Sequence, residues 1–192
     1  MEFVERKIAF MKRQFDLLRK TMPLIHNITN YVTVNDVANV ILACGASPIM
    51  SDEPEDVKDI TSICGGLNIN IGTLCKRSIE SMLIAGKRAN ELNHVVLLDP
   101  VGAGASKLRT DTAVQIMKEI KLDVIRGNIS EIKTLAYGSG TTQGVDADVA
   151  DAVTEANLES SIAFAKNFAK DAGTIVAITG AIDLVTDGDR CF

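Results

Sequence analysis

The chain has 192 residues, of which 46% are hydrophobic and 23% charged, and its formal net charge is −5. That length suits one domain with a sizeable core, and the acidic balance argues against a nucleic-acid or anionic-membrane surface, which needs clustered basic residues. No run approaches the roughly 18–20 apolar residues of a membrane span, the charged N-terminus is unlike a signal peptide, and Cys44, Cys64, Cys75 and Cys191 are too scattered for an ordinary zinc site or a disulfide scaffold. The expectation is a cytoplasmic protein with reduced cysteines.

In chain order, residues 3–19 read as an amphipathic helix whose Arg6, Lys7, Lys12, Arg13, Arg19 and Lys20 form a solvated face. Pro23-Leu24-Ile25 leads into His26-Asn27-Ile28-Thr29-Asn30-Tyr31, which reads as a polar segment whose side chains bond their own backbone. A second helix is expected from Thr33 to Cys44, with Gly45 closing it. Residues 46–50 give a short strand, and the acidic Asp52–Asp56 stretch with Pro54 suits a helix start. Leu67–Ile71 alternates like a strand and ends on Gly72-Thr73, and a helix follows over 76–90.

Val95–Asp99 reads as a strand buried on both faces that ends on a carboxylate. Pro100 stops its ladder, and Gly102-Ala103-Gly104 then supplies a backbone able to turn tightly. A helix is expected over 110–121, a strand over 124–126, and a helix opening at Gly127-Asn128-Ile129-Ser130-Glu131. Residues 138–148 carry no apolar pattern and read as a loop. A helix over 157–172, a strand over 174–179 and a hairpin strand over 183–186 complete the chain. Strands alternating with helices imply an α/β fold with a mainly parallel sheet and helices on both faces, in one domain over 1–192.

Two phosphate-binding motifs fail. There is no G-x-x-x-x-G-K-[ST], and the dinucleotide fingerprint beginning at Gly102 breaks at Lys107. The positive signal is positional: Asp99, Arg126, Glu131 and Thr179 all fall at or just past strand carboxyl ends, which share one edge in a parallel sheet. Two carboxylates suit Mg²⁺, Arg126 suits a phosphate, and Thr179-Gly180 offers a hydroxyl and a backbone N–H to a nucleotide. Phosphoryl transfer needs such parts, because its catalysis is mostly positioning and charge stabilisation. Plainer readings stand beside these. Asn128 and Glu131 suffice as a helix capping box, Asp99 as a turn residue, Arg126 as a surface ion pair and Met50 as core filler, while His26 and His94 read as structural.

Taken together, several stretches resemble hydroxyethylthiazole kinases, the thiamin-salvage family of the ribokinase-like superfamily. They are His26–Asn30, Gly45–Met50, Asn70–Leu74, Asp99–Ala105, Ile125–Asn128 with Glu131, and Ala177–Gly180, in the family's order across residues 21–186. The resemblance implies a three-layer ribokinase-like fold and transfer of the ATP γ-phosphate to the primary alcohol of 4-methyl-5-(2-hydroxyethyl)thiazole with Mg²⁺. It implies Met50, Asn30, Gly72 and Thr73 around the thiazole, Arg126, Thr179, Gly180 and Asn128 at ATP, and Asp99 and Glu131 on the metal side. It further implies a homotrimer with sites between subunits. The family's later Gly-Ala-Gly-Cys segment, its anion hole and catalytic cysteine, does not occur in this sequence, and Cys191 does not replace it. The expectation is therefore a domain incomplete at its C-terminus whose 192 residues alone are inactive. A kinase for another small alcohol, such as hydroxymethylpyrimidine, and a non-catalytic binding or assembly fragment are the alternatives.

Overall fold

The computed structural model describes residues 2–138 and 152–192. Its elements run α1 (Glu2–Thr21), β1 (Leu24–Ile28), α2 (Val34–Cys44), β2 (Ser47–Met50), α3 (Val57–Ile63), β3 (Gly66–Asn70), α4 (Lys76–Glu91) and β4 (Val95–Asp99). They continue with α5 (Lys107–Glu119), β5 (Val124–Asn128), α6 (Ile129–Tyr137), α7 (Leu158–Ala172), β6 (Ile175–Thr179) and β7 (Leu184–Thr186). The loop expected over 138–148 lies outside the described residues except for Gly138, which closes α6.

The strands form one sheet in the order β2-β1-β3-β4-β5-β6-β7, parallel throughout except for the β6–β7 hairpin. The connection from β1 to β2 moves in one direction along the sheet, and those from β2 to β6 move in the other. Right-handed crossovers therefore put α2 on one face and α3 to α7 on the opposite face. α1 packs against α2 and joins it. The expected α/β sandwich of helix, sheet and helix is what forms.

Alternation along the strands decides what each face buries. Val96 and Leu98 on β4, Ile125 on β5, and Val176 and Ile178 on β6 are at most 1% exposed beneath α4 to α7. Each such aliphatic side chain stabilises the fold by roughly 1.5–3 kcal/mol relative to exposure. The residues between them turn to the other face, where Val95 and Ile175 remain exposed.

β1 is the main departure from the sequence expectation. The segment read as self-bonding polar loop is a central strand between β2 and β3. Its polar residues are buried because each finds a partner. The His26 ring lies 2.9 Å from Thr61 Oγ1 through Nδ1 and 2.9 Å from the Ser51 carbonyl through Nε2. A carbonyl only accepts, so Nε2 carries the proton and Nδ1 accepts from the threonine. Asn27 accepts from Asn68 across the β1–β3 pair and donates to the Ile25 carbonyl. His26 is thus structural.

Smaller differences are local. α3 starts at Val57 after Asp56, and Pro54 lies in the preceding turn rather than in the helix. α5 starts three residues earlier than expected, because Ser106 accepts the Arg109 N–H as N-cap.

Burial depresses the His26 pKa, so the ring stays neutral in the fold while the unfolded chain protonates normally. The unfolded state then binds more protons below pH ~6.5, and stability falls with acidification. The stability gap between wild type and a His26→Gln variant should therefore narrow as the pH drops below ~6.5 in denaturant titrations. A constant gap from pH 7.5 to 5 would contradict the assignment.

Candidate functional site

The strand order reverses between β1 and β3, and the carboxyl ends flanking that point are where an open α/β sheet forms a crevice. Asn30 follows β1, Met50 ends β2, and Gly72-Thr73 follows β3. The Thr73 hydroxyl accepts the Tyr31 N–H at 3.0 Å, and the Asn30 amide donates to Asn70 Oδ1 at 3.1 Å. A Cβ added to Gly72 would sit 2.9 Å from Asn30 Cβ, so only glycine allows the two turns to approach this closely. A hollow of about 90 Å³ opens next to these turns, at the carboxyl ends of β1 and β2, walled by Thr29, Tyr31, Val34, Met50 and Asp52. Thr29 Oγ1 is buried with no hydrogen-bond partner among the described residues. Tyr31 donates to Asp52 at 2.8 Å, and Arg77 bridges Asp52 and Glu53 at the rim. Of the four residues expected around an acceptor pocket, Asn30, Gly72 and Thr73 are therefore brought together in two touching turns, and Met50 is the one that lines the hollow.

The second group lies at the ends of β4 and β5. Arg126 Nη1 and Asn70 Nδ2 both donate to Asp99 Oδ2, at 3.0 and 3.1 Å. The ion-pair reading of Arg126 is thus correct, but its partner is the carboxylate at the centre of the edge, and the guanidinium stays half exposed. Glu131 is buried and accepts two backbone N–H groups: Gly102 on Oε1 and Asn128 on Oε2, each at 2.8 Å. Asn128 Oδ1 accepts the Glu131 N–H at 2.9 Å, which completes the capping box expected from the sequence. Capping is only half of what Glu131 does. Its other oxygen holds the Pro100–Gly104 turn, in which Gly102 takes a positive φ of 72°. At β6, Thr179 Oγ1 lies 3.4 Å from the Gly127 carbonyl, while the Gly180 N–H is already taken by Asp183 at 2.9 Å.

Burial raises the pKa of both Asp99 and Glu131, and the Asp99 charge raises that of Glu131 further. Arg126 opposes both shifts, and the backbone donors of Gly102 and Asn128 oppose that of Glu131. Two desolvated, mutually repelling carboxylates at one edge are what a bound cation relieves. Asp99 Oδ1 has no donor among the described residues, whereas each Glu131 oxygen already carries one. The set fits Mg²⁺ held by one or two carboxylates and its own waters, and does not resemble an all-protein metal cage.

Two residues absent from the expectations tie the halves together. Asn70 accepts from Asn30 and from the Gly72 N–H while donating to Asp99. Arg109, from the first turn of α5, donates to the Gly72 carbonyl at 2.8 Å and packs against Gly102. The alternation of Leu67–Ile71 already placed Asn70 at a strand end. Nothing in the local sequence marks Arg109. A larger hollow of about 550 Å³ lies among Met117, Tyr137, Phe164 and Phe168, on α5, α6 and α7, and none of these site residues lines it.

The sequence profile described as the hydroxyethylthiazole kinase family matches residues 15–192. The chain is 60% identical over 182 residues to a hydroxyethylthiazole kinase of Clostridium acetobutylicum, covering 95% of this chain and 67% of that protein. It is 54% identical over 173 residues to one of Clostridium beijerinckii, covering 90% and 62%. The solved hydroxyethylthiazole kinase of Pyrococcus horikoshii OT3 superposes with a TM-score of 0.82 at 37% identity, over 95% of this chain and 65% of that one. A putative ribokinase II from E. coli, 13% identical with a TM-score of 0.53 over 88% of this chain and 60% of that one, shares the fold. The chain thus spans about two thirds or less of these relatives.

Proposed function

This chain belongs to the hydroxyethylthiazole kinase family, and from that premise we propose that the protein at family length phosphorylates the primary alcohol of 4-methyl-5-(2-hydroxyethyl)thiazole with ATP in thiamin salvage. In that reaction the bond from the γ-phosphorus to the β–γ bridging oxygen breaks and a bond to the alcohol oxygen forms. The alcohol proton is released and ADP leaves. The observation that carries the reading is the joining of two half-sites at one sheet edge, an acceptor hollow at the ends of β1 and β2 and a carboxylate–arginine group at β4–β5, linked through Asn70.

Each residue has a physical task in this reading. Met50 offers an adaptable, polarisable thioether to the thiazole ring, and Asn30, Gly72 and Thr73 set the neighbouring turns, which meet the hollow through Tyr31. Asp99 faces the transfer, and its ion pair holds the Arg126 guanidinium at the edge, where it meets the ATP phosphates. The Thr179 hydroxyl lies on the nucleotide side, with Gly180 and the N-cap Asn128 shaping the backbone there. Asp99 and Glu131 are the groups that would hold Mg²⁺. When bound, that ion neutralises charge developing on the phosphate oxygens.

Residues 1–192 belong to a single ribokinase-like domain in this proposal, which acts in the cytoplasm. Among the described residues, no helix is long and apolar enough to cross a membrane. The protein assembles as a homotrimer with the acceptor sites between subunits. Supporting this, Tyr31 and Val32 beside the hollow and Val40 and Leu42 along α2 are all more than half exposed, and α2 has no buried residue. Large apolar residues exposed around this helix and turn suit an interaction surface. Sedimentation should give three times the chain mass, and a monomer at micromolar concentration would contradict it.

A coupled ADP assay on the family-length protein tests the substrate. Turnover should depend on the thiazole alcohol. Equal or better turnover on hydroxymethylpyrimidine would transfer the reading to the pyrimidine kinases.

A further inference from the structure

We propose that Asn70 is a positioning residue for the phosphoryl-transfer site, setting which oxygen of Asp99 is free to act. The inference rests on the kinase reading above and goes beyond it, since it assigns a task to a residue outside the two half-sites.

The two ends of an amide are not interchangeable, and here the surroundings fix which is which. Asn70 Oδ1 faces two donors, the Gly72 N–H at 2.9 Å and Asn30 Nδ2 at 3.1 Å. A flipped amide would set its NH₂ against both. Asn30 is itself fixed, because its Oδ1 accepts the Val32 and Thr33 N–H groups, each at 3.1 Å. Only Asn70 Nδ2 is left to face β4, and the parallel register sets Asn70 directly opposite Asp99. That nitrogen lies 3.1 Å from Asp99 Oδ2, the oxygen that also takes Arg126.

One carboxylate oxygen thus receives both side-chain donors, and Oδ1 receives none among the described residues. A run of hydrogen bonds with a single polarity passes from the backbone just before α2 through Asn30 and Asn70 to Asp99. The same amide that fixes the Gly72 turn beside the acceptor hollow therefore orients the carboxylate facing the transfer. Misplacing a reacting group by about 1 Å costs on the order of a hundredfold in rate.

The test compares Asn70→Asp and Asn70→Ser with wild type in the family-length protein, measuring kcat and KM for the thiazole alcohol together with thermal midpoints. Asp keeps an acceptor for Asn30 and Gly72 but removes the donor to Asp99 and sets a carboxylate against it. KM should stay within about threefold while kcat falls by at least about tenfold. Ser is too short to span the gap, so KM should rise as kcat falls. A kcat for Asn70→Asp within about twofold of wild type, or a loss that appears only in KM, overturns the proposal and leaves the kinase reading intact. A wild type with no thiazole-dependent turnover overturns both.

Discussion

Replacing Asp99 by Asn in the family-length protein is expected to lower thiazole-dependent kcat by about 10²–10⁴-fold, the range for removing a group that handles protons or charge at the reacting centre. The substitution is isosteric and sits 13% exposed at a strand end, so the sheet should tolerate it. It removes the charge that anchors Arg126 and places an amide where Asn70 Nδ2 and Arg126 both donate to one oxygen. Only one orientation of the new amide accepts those donors, and it turns the NH₂ toward the position of Oδ1. The metal-side ligand is then a donor instead of an acceptor. Steady-state kinetics with the far-ultraviolet spectrum as a folding control decides the matter. Retention of more than about a tenth of wild-type kcat would remove Asp99 from the transfer.

The second large effect is expected at Glu131, where stability and activity should fall together. Both oxygens of this buried side chain accept backbone N–H groups, from Gly102 and from Asn128. Glu131→Gln supplies one acceptor and one donor, so one N–H is left facing an NH₂. An unsatisfied buried donor costs about 1–3 kcal/mol, and denaturant unfolding should show a loss in that range. The consequence for function travels through the Gly102 turn, which lies immediately after the Asp99 strand. A variant with unchanged unfolding midpoint would show that Glu131 does not hold this turn.

What the sequence disclosed follows the physics of each signal. The bounds of Val95–Asp99 were legible to the residue because a short apolar run ending in Asp-Pro is marked by hydrophobicity and by a missing donor, both local properties; the expected burial on both faces was not met, since Val95 is exposed. The Asn128–Glu131 box was legible for the same reason, since capping acts over three residues. β1 was not. His26 and Asn27 look like loop residues until Thr61, Ser51 and Asn68 are known to satisfy them, and those partners lie 25 to 41 positions away. The Asp99–Arg126 pair spans 27 positions and exists only through the β4–β5 pairing. Strand-end position did bring Asp99, Arg126 and Glu131 to one edge. It did not say that Glu131 would hold the turn after β4, or that Asn70 and Arg109 would tie that turn to the acceptor side.

The most direct measurement follows the transferred group itself. The family-length protein is incubated with ATP labelled in the γ-phosphate, Mg²⁺ and the thiazole alcohol, and the products are separated. Label is expected on the thiazole phosphate in proportion to the ADP formed, with loss of that product in the Asp99→Asn variant. Label released only as inorganic phosphate, or ADP formed equally without the alcohol, would contradict the kinase reading.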